Sequence, residues 1–206
     1  MPVDFERVLT AAVANAPAEI RGLPRLNLGS GRDRREGYVN LDLVAVPGVD
    51  VVASLGTTVL PFRDGAFGVV VCRDILEHVD VVPAMRDVHR ITAAGGTVIV
   101  SAVHFTSRNL YVDPTHVRGF SVRTLEFFAT GDEREWRRPY YFDFAFRDIE
   151  YAAIQFGTTL GNGRFLVWDR AVEPCVNARR VTQDLYEMTG LSRIFPAANV
   201  VAVLRK

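Results

Sequence analysis

The feature that most constrains the fold is an apolar run that breaks into a glycine-rich turn and is followed closely by a carboxylate. Leu26-Asn27-Leu28-Gly29-Ser30-Gly31 contains the turn, and Asn40-Leu41-Asp42 ends the next apolar run. Glycines at such a turn let the backbone fold sharply and approach a ligand without a Cβ in the way. A carboxylate at the end of the following strand can accept hydrogen bonds from both hydroxyls of a ribose. The pattern therefore predicts a nucleotide site at the edge of an α/β sheet.

The spacing within this pattern argues against a dinucleotide. The dinucleotide fingerprint has a third glycine three residues after the second, where this chain has Arg34. It also has room for a full helix whose N-terminal amides face a pyrophosphate. The connection from Gly31 to Asn40 is too short for that helix, and Gly37 disfavours a second helical turn. A ligand without a phosphate, such as S-adenosylmethionine, fits better, and an NAD-dependent oxidoreductase is disfavoured.

Two further segments complete a set of motifs. Leu60-Pro61-Phe62 precedes a Val-rich run, and Leu76-Glu77-His78 follows it. With the glycine turn and the Asn-Leu-Asp segment, in this order, they make residues 24–130 resemble the class I S-adenosylmethionine-dependent methyltransferases, in particular the small branch called type 11. The resemblance implies an α/β fold with a doubly wound, mostly parallel, seven-stranded sheet of Rossmann-like type and an antiparallel edge strand. It also implies S-adenosyl-L-methionine as the cofactor and methyl transfer as the activity.

Three positions depart from the family pattern. Asn27 stands where an acidic residue is usual, Ser54 where Asp is common, and Gly68 where the Phe-Asp-x-Val segment has its Asp. These departures motivate an alternative hypothesis, in which the chain is a non-catalytic relative that serves as a binding or partner subunit.

Composition sets the bounds of the interpretation. A chain of 206 residues with 49% hydrophobic residues fits one domain with its own core. The formal net charge is zero, so nothing indicates a nucleic-acid or membrane-surface partner. The absence of a long apolar run or an apolar leader leads us to expect a cytoplasmic location. The two cysteines lie too far apart in sequence for a metal knuckle.

Periodicity predicts the order of the elements. A helix capped by Asp4 should cover the mouth or edge of the sheet and end before Pro17. Apolar runs of strand length and a helix follow in alternation, as expected for parallel strands buried on both faces. The predicted strands of the first half are 25–28, 39–43, 49–54, 69–72 and 97–103, with a helix over 82–91. The second half should contain a helix over 121–130, a Phe-rich strand over 142–147, a helix over about 174–188 and a strand over 197–204.

These elements predict a single methyltransferase domain over residues 1–206. It comprises an N-terminal helix (1–20), a cofactor-binding half (24–103) and a substrate-side half (104–206) with an insertion at about 161–190. The charged segment 131–138 is expected to be a solvated loop. The oligomeric state stays open, and a homodimer is one option because the Phe-rich edge strand could pair with a second chain.

The resemblance assigns cofactor contacts by position in the motifs. The bed under the methionine part would be formed by Asn27, Gly29, Ser30 and Gly31. Asp42 would hold the ribose diol, and the adenine would be flanked by Leu43, Ser54 and Leu55. Asp74 and His78 would meet the methionine ammonium or the substrate; the alternative is an N-cap and a surface histidine.

Methyl transfer demands alignment of the reacting atoms and exclusion of water more than an elaborate set of catalytic groups. An acceptor hydroxyl or amine must lose a proton, and histidine is the usual base. His116, in the Asp113-Pro114-Thr115-His116 segment, and His104, after the fifth strand, are the candidates. No spacing indicates a metal site, so no metal is predicted. The expected function is methyl transfer to a small-molecule or glycan-type acceptor, with oxygen favoured.

Overall fold

The computed structural model describes residues 2–130, 142–157, 159–160, 163–164 and 168–206. The charged segment 131–138 therefore lies outside the described residues. The strands are β1 (Arg25–Leu28), β2 (Val39–Asp42), β3 (Val51–Val52), β4 (Phe67–Arg73), β5 (Thr92–Val103), β6 (Asp148–Gln155), β7 (Thr159–Leu160), β8 (Gly163–Arg164) and β9 (Asn199–Arg205). The α-helices are α1 (Phe5–Ala14), α2 (Val81–Ile91), α3 (Asn109–Val112), α4 (Glu173–Val176), α5 (Arg180–Met188) and α6 (Leu191–Ile194).

Seven of the strands form one mixed sheet in the order β3-β2-β1-β4-β5-β9-β6, and β7 pairs with β8 in a separate ribbon. The pairs from β3 to β5 are parallel, whereas β9 runs antiparallel to both β5 and β6. The α/β class, the seven strands and the antiparallel pair at one edge of the sheet are confirmed. The carboxyl ends of the parallel strands meet at one rim, which is where open α/β sheets bind their ligands.

Alternating residues of the central strands supply the two faces of the sheet. Val69 and Val71 of β4 pack in the cluster that includes Phe5 of α1. Their neighbours Val70 and Cys72 pack in the larger cluster on the other face, which contains the apolar side of α2. Helix α1 begins as predicted, because the Asp4 carboxylate accepts a hydrogen bond from the Arg7 amide at 3.0 Å. A strand buried on both faces explains why β4 is an unbroken apolar run.

The connection from β1 to β2 contains turns and no helix. The predicted lack of a helix after the glycines therefore agrees with the described residues.

The second half differs from the prediction at three places. Residues 121–130 form only a short 3-10 turn, Thr124–Phe128, instead of a longer helix. The Phe-rich segment forms no strand; Phe146 exchanges backbone hydrogen bonds with Phe128 and Thr130, and its ring is buried. Alternating phenylalanines here serve core packing, and the edge strand is β6. The predicted helix over 174–188 is divided into α4 and α5 at Asn177.

The break at Asn177 has a clear physical reason. Its side-chain amide donates to the Ile154 carbonyl at 2.7 Å and its oxygen accepts from the Ile154 amide at 2.9 Å. The amide of Gln183 donates in turn to the Ala152 carbonyl at 3.0 Å. These side chains occupy backbone groups of β6 that would otherwise be exposed at the edge of the sheet. The homodimer option rested on a Phe-rich edge strand, and that premise was wrong because residues 142–147 form no strand; the oligomeric state stays open. Each helix in the described part of the chain is too short or too polar to cross a bilayer.

Candidate active site

The glycine turn after β1 has a backbone that only glycine adopts easily. Gly29 and Gly31 have φ angles of 65° and 49°. A Cβ on Gly29 would lie 2.7 Å from Cγ1 of Ile75, so this position is also too close-packed for a side chain. The Gly31 amide donates to Oδ2 of Asp42 at 2.7 Å, and the Ser30 amide donates to the Leu41 carbonyl at 2.9 Å. The turn after β1 is thus tied directly to the end of β2.

A buried pair of asparagines supports the glycine turn from the core side. Asn27 and Asn40 are 2% and 1% exposed. The Asn27 amide donates to the Asp33 carbonyl at 2.8 Å and to Oδ1 of Asn40 at 3.0 Å. Asn40 also accepts from the Arg35 amide and donates to the Tyr38 carbonyl. Since a buried polar network is rigid when each member is satisfied, the glycine turn is held in shape without a ligand.

The residues predicted to contact the ribose and adenine lie along the rim of β2 and β3. Asp42 accepts from the Val44 amide at 3.0 Å through Oδ1, in addition to its bond from Gly31. Leu43 is 66% exposed, so its side chain is accessible to a ligand at this rim. Ser54 accepts a hydrogen bond from the Thr57 hydroxyl. The Leu55 side chain is buried in the core, so only its backbone can face an adenine.

A cavity of about 350 Å³ opens above the glycine turn, lined by Asn27, Gly29, Ser30, Asp33, Arg73 and Asp74. The Ser30 hydroxyl is buried there without a hydrogen-bond partner. A buried polar atom of this kind needs a ligand or water. Together with the charged groups of Arg73 and Asp74, it suits the zwitterionic amino-acid end of S-adenosylmethionine. The residues present therefore fit this cofactor.

The N-terminal helix is fastened beside this cavity. Glu6 of α1 pairs with both terminal nitrogens of Arg35, at 2.8 and 2.7 Å, and with Arg73 at 3.0 Å. The Arg35 hydrogen bond is the main reason that the pKa of Glu6 is lowered. Helix α1 packs on a face of the sheet, and its first turn reaches the rim, so the prediction that it covers the mouth or edge holds for that turn alone.

Asp74 connects this cavity to a second one. It is the only described non-glycine residue with a positive φ, 51°, a conformation that costs about 1–3 kcal/mol. Its Oδ1 accepts from the Ser101 hydroxyl at 2.8 Å and from the Asn199 amide at 2.7 Å. These bonds hold the carboxylate at the ends of β4, β5 and β9. Strain concentrated at a cavity wall is typical of functional sites.

The second cavity has a volume of about 480 Å³ and is lined by Asp74, Glu77, Val103, Asn109, Val112, Asp113, His116, Gln155, Gly157, Ala198 and Asn199. Glu77 is 2% exposed, and its Oε2 has no hydrogen-bond partner. Burial raises the pKa of this carboxyl to about 7, helped by the charge of Asp74. The lining therefore combines three carboxyl groups with one imidazole.

His78 and His116 meet at the side of this cavity. Their ring centroids are 4.5 Å apart. The pKa of His78 is lowered, first by burial and then by repulsion from His116. The Nδ1 atom of His116 lies 3.0 Å from the Asn109 carbonyl. His78 is not among the described residues that line either cavity, so a direct cofactor contact from its ring is less well supported than one from Asp74.

His104 lies apart from both cavities. It is fully buried, and its Nδ1 accepts from the Thr106 amide at 3.1 Å. Its Nε2 donates to Glu187 at 3.0 Å. Because both ring nitrogens are engaged inside the protein, His104 has no free nitrogen for an acceptor. Its geometry fits a role in fastening α5 to the end of β5.

The seven-stranded sheet is similar to that of several solved methyltransferases. A SAM-dependent methyltransferase from Archaeoglobus fulgidus is 17% identical, with a TM-score of 0.57 over 98% of this chain and 95% of that chain. A SAM-dependent methyltransferase from Thermotoga maritima, described as a possible histamine N-methyltransferase, is 17% identical, with a TM-score of 0.57 over 98% and 89%. One from Mesorhizobium loti is 16% identical, with a TM-score of 0.50 over 95% and 96%. At these low sequence identities, the structural similarity shows the fold alone.

A comparison with family models gives a more specific assignment than the fold does. Residues 32–100 match the family described as a methyltransferase domain, Methyltransf_11. This match and the shared fold together support a class I S-adenosylmethionine-dependent methyltransferase. No curated protein sequence matches it significantly. The matched segment begins just after the glycine turn and includes Asp42, Arg73 and Asp74.

The three departures of this methyltransferase from the family pattern have local explanations. Asn27 donates to two acceptors, which a carboxylate cannot do. Gly68 lies against the turn Ala18–Ile20, and a Cβ there would be 2.5 Å from the Ile20 carbonyl oxygen. Ser54 is bonded within its own turn. The departures therefore reflect packing of this chain, which weakens their use as signs of a lost site.

Several residues around the two cavities were not singled out from the sequence. Glu77 belongs to the Leu-Glu-His motif, but its burial depends on the distant β5, whose Val103 amide donates to Oε1. Asn199 reaches Asp74 from a strand 125 positions later in the chain. Arg73 is the residue before Asp74 and could have been found from its place at the end of β4. The other two depend on contacts that sequence spacing does not reveal.

Proposed function

We propose that this methyltransferase transfers a methyl group to a hydroxyl oxygen of a neutral small-molecule or glycan-type acceptor. The observation that carries the proposal is the position of Asp74, which lines both the cavity at the glycine turn and the larger cavity beside it. A shared wall is what a two-substrate transfer requires, because donor and acceptor must meet at one point. The two halves, 24–103 and 104–206, would act as one domain, since each supplies part of the larger cavity.

The cavity at the glycine turn would hold the cofactor, which supplies an electrophilic methyl group on a sulfonium. Ser30 would donate its unpartnered hydroxyl to the amino-acid end, and Asp42 would accept from the ribose hydroxyls. The exposed Leu43 would pack on the adenine, with Ser54 and the Leu55 backbone beyond it. His78 would then act through its contact with His116 rather than on the cofactor.

The acceptor class follows from the lining of the larger cavity. Its described lining residues include three acidic side chains and no lysine or arginine. Carboxylates accept hydrogen bonds from hydroxyl groups and repel anions, so a neutral polyol is favoured over a phosphate or a carboxylate. The exposed Arg118 is absent from this lining, which gives no support to an anionic acceptor.

His116 is the proposed group for the acceptor's proton. Its Nδ1 faces a backbone carbonyl and must therefore donate, which leaves Nε2 as the basic nitrogen. The ring lines the larger cavity, as a base must. His104 is not carried forward in this role because both of its nitrogens are occupied.

A methyl-transfer assay with isotopically labelled S-adenosylmethionine tests the proposal. Neutral glycosides and polyols form the first acceptor panel, with amines and phosphorylated sugars as the second and third. We expect label only in the first panel, and a fall of at least about tenfold in kcat with Asp74→Asn. Transfer to amines or anions alone would overturn the acceptor class. Cofactor binding without any transfer would favour the non-catalytic partner subunit.

The cofactor contact is tested separately by calorimetric titration with S-adenosylhomocysteine. Asp42→Ala should weaken binding by at least about tenfold, because it removes two ribose contacts and a bond that shapes the turn. Asp64→Asn, at an exposed carboxylate far from the rim, is the matched control and should bind normally. Undiminished binding by Asp42→Ala would refute the ribose contact.

A further inference from the structure

We propose that His78, Asp113 and His116 form a binding site for a divalent transition-metal cation at the wall of the larger cavity. Each of the three side chains offers one ligand atom, and these atoms lie within 4.8 Å of one another. No such site was predicted from the sequence, because His78 comes from the turn after β4 and the other two from a loop 35 or more positions later. The fold brings them together.

The two imidazoles are oriented as metal ligands usually are. His116 donates from Nδ1 to the Asn109 carbonyl at 3.0 Å, which leaves a lone pair on Nε2. His78 has its Nδ1 at 2.8 Å from the Thr115 hydroxyl, whose own proton goes to Oδ1 of Asp113 at 2.6 Å. The His78 Nδ1 must therefore donate, so its Nε2 also carries a lone pair. Metal-binding histidines commonly donate from the second nitrogen to a carbonyl or carboxylate in this way.

Asp113 is the third ligand, through the carboxylate oxygen that its bonds to Thr115 leave unused. Its Oδ1 accepts from the Thr115 amide and hydroxyl. Its Oδ2 lies 4.0 Å from Nε2 of His116. Ligand atoms around a cation with bonds of about 2.0–2.2 Å are separated by roughly 3–3.5 Å, so a movement of about 1 Å would close the site. The Asp113 side chain is 45% exposed, and such a movement is open to it.

Glu77 supplies an independent indication of a cation. Its side chain is almost fully buried, and its Oε2 has no partner. It lines the same cavity as Asp113 and His116. A buried carboxyl oxygen without a donor is costly unless a proton, a cation or a ligand compensates it. The described lining residues include three acidic side chains and no lysine or arginine, which suits a cation at this wall.

The ligand set selects the type of metal. Two imidazole nitrogens and one carboxylate favour Zn²⁺ and neighbouring first-row ions over Mg²⁺ or Ca²⁺, which prefer oxygen. Three protein ligands leave at least one coordination position open. If the proposed function holds, an acceptor hydroxyl could occupy that position, and His116 would then be a ligand and not the base. The metal site itself does not depend on the proposed function.

Metal binding by the full chain tests this inference without any activity assay. Protein freed of metal by chelation is titrated with Zn²⁺ by calorimetry and with Co²⁺ by visible absorption, whose intensity reports the coordination geometry. We expect one cation per chain, with affinity reduced at least about tenfold in His116→Ala and in Asp113→Asn and about tenfold in Thr115→Val. The double variant His78→Ala/His116→Ala should not bind.

The controls are His89→Gln and Glu19→Gln, which change one histidine and one carboxylate outside the cluster and should bind like the unaltered chain. Circular dichroism and the unfolding temperature of each variant show whether it folds. Absence of saturable binding by the unaltered chain, or equal binding by the folded double variant, would overturn the site. Methyl transfer that proceeds after chelation would overturn only the metal's role in the reaction.

Discussion

The two cavities that meet at Asp74 are built in opposite ways. Around the glycine turn, the polar side chains below the cavity satisfy one another, as Asn27, Asn40 and Asp50 do. Around the larger cavity, Glu77 keeps an unpartnered oxygen and the His78 and His116 rings crowd each other. The side chains below the first cavity hold its shape through mutual hydrogen bonds and leave only the Ser30 hydroxyl of its lining unpartnered among the described residues, whereas the second brings carboxyl and imidazole groups close together.

Under the proposed function, this difference would separate cofactor recognition from chemistry. A cofactor of fixed structure is bound best by a rigid backbone surface, which needs glycines and a satisfied network. Groups that exchange protons or bind cations must keep a free lone pair, which costs stability. The comparison predicts that substitutions at the glycine turn cost both stability and affinity, while those at the larger cavity cost less stability.

Gly29→Ala should have the largest effect. The added Cβ would lie within 2.8 Å of three Ile75 carbons, in a backbone with φ of 65°. Left-handed strain and overpacking together should lower the free energy of unfolding by about 2–4 kcal/mol and weaken S-adenosylhomocysteine binding by more than tenfold. Denaturant unfolding and calorimetry measure the two effects.

Gly31→Ala is the matched control for this prediction. Its φ of 49° imposes similar strain, but a Cβ there meets nothing within 4 Å. We expect a loss of only about 1–2 kcal/mol. Equal losses for the two variants would show that the contact with Ile75 is unimportant.

Asn27→Asp should have the next largest effect on the free energy of unfolding, although it restores the residue type usual in the family. A carboxylate would face the Asp33 carbonyl and Oδ1 of Asn40, both of which are acceptors, at a site that is 2% exposed. We expect a loss of about 2–3 kcal/mol in unfolding free energy. Asn199→Asp makes the same change at the larger cavity, where water reaches the Asp74 carboxylate, and should cost about 1 kcal/mol. A larger loss for Asn199→Asp than for Asn27→Asp would contradict the difference between the two cavities.

The contrast also explains what the sequence could predict. The glycine turn, the succession of strands and helix along the first half and the position of Asp42 at a strand end depend on local backbone geometry, and their motifs are contiguous in the chain. The larger cavity depends on convergence: Glu77 is buried by β5, Asn199 arrives from β9, and His78 meets His116 across 38 positions. Spacing along the chain carries little information about such contacts.

The errors in the second half have a related origin. Alternation at Phe142, Phe144 and Phe146 resembles strand periodicity, but the rings pack around Phe128 and His89 instead of forming a ladder. The helical periodicity over 174–188 gives no sign of the break at Asn177, whose side chain bonds the backbone of the edge strand β6. In both places a tertiary contact overrides the local pattern.

A further predicted effect, smaller than that of Gly29→Ala or Asn27→Asp, concerns the seam where these aromatic residues meet α2. Burial and the charge of Lys206 lower the pKa of His89 to about 4, against a favourable contribution from Asp143. Because the folded protein then binds fewer protons than the unfolded chain, stability should fall as the pH decreases from about 6.5 towards 4. A shift of this size corresponds to about 3 kcal/mol, which partial exposure of the ring reduces to about 1–2 kcal/mol.

The measurement is the unfolding free energy of the unaltered chain minus that of His89→Gln between pH 7 and pH 4. The subtraction cancels the opposite contribution of Glu77, whose raised pKa makes the folded state bind more protons over the same range. We expect the difference to fall by about 1–2 kcal/mol in favour of His89→Gln as the pH decreases. A difference independent of pH would show that the His89 ring is well solvated in the folded protein. The aromatic seam would then hold α2 and the Phe-rich segment together less tightly than the turn at Gly29 holds β1 and β2.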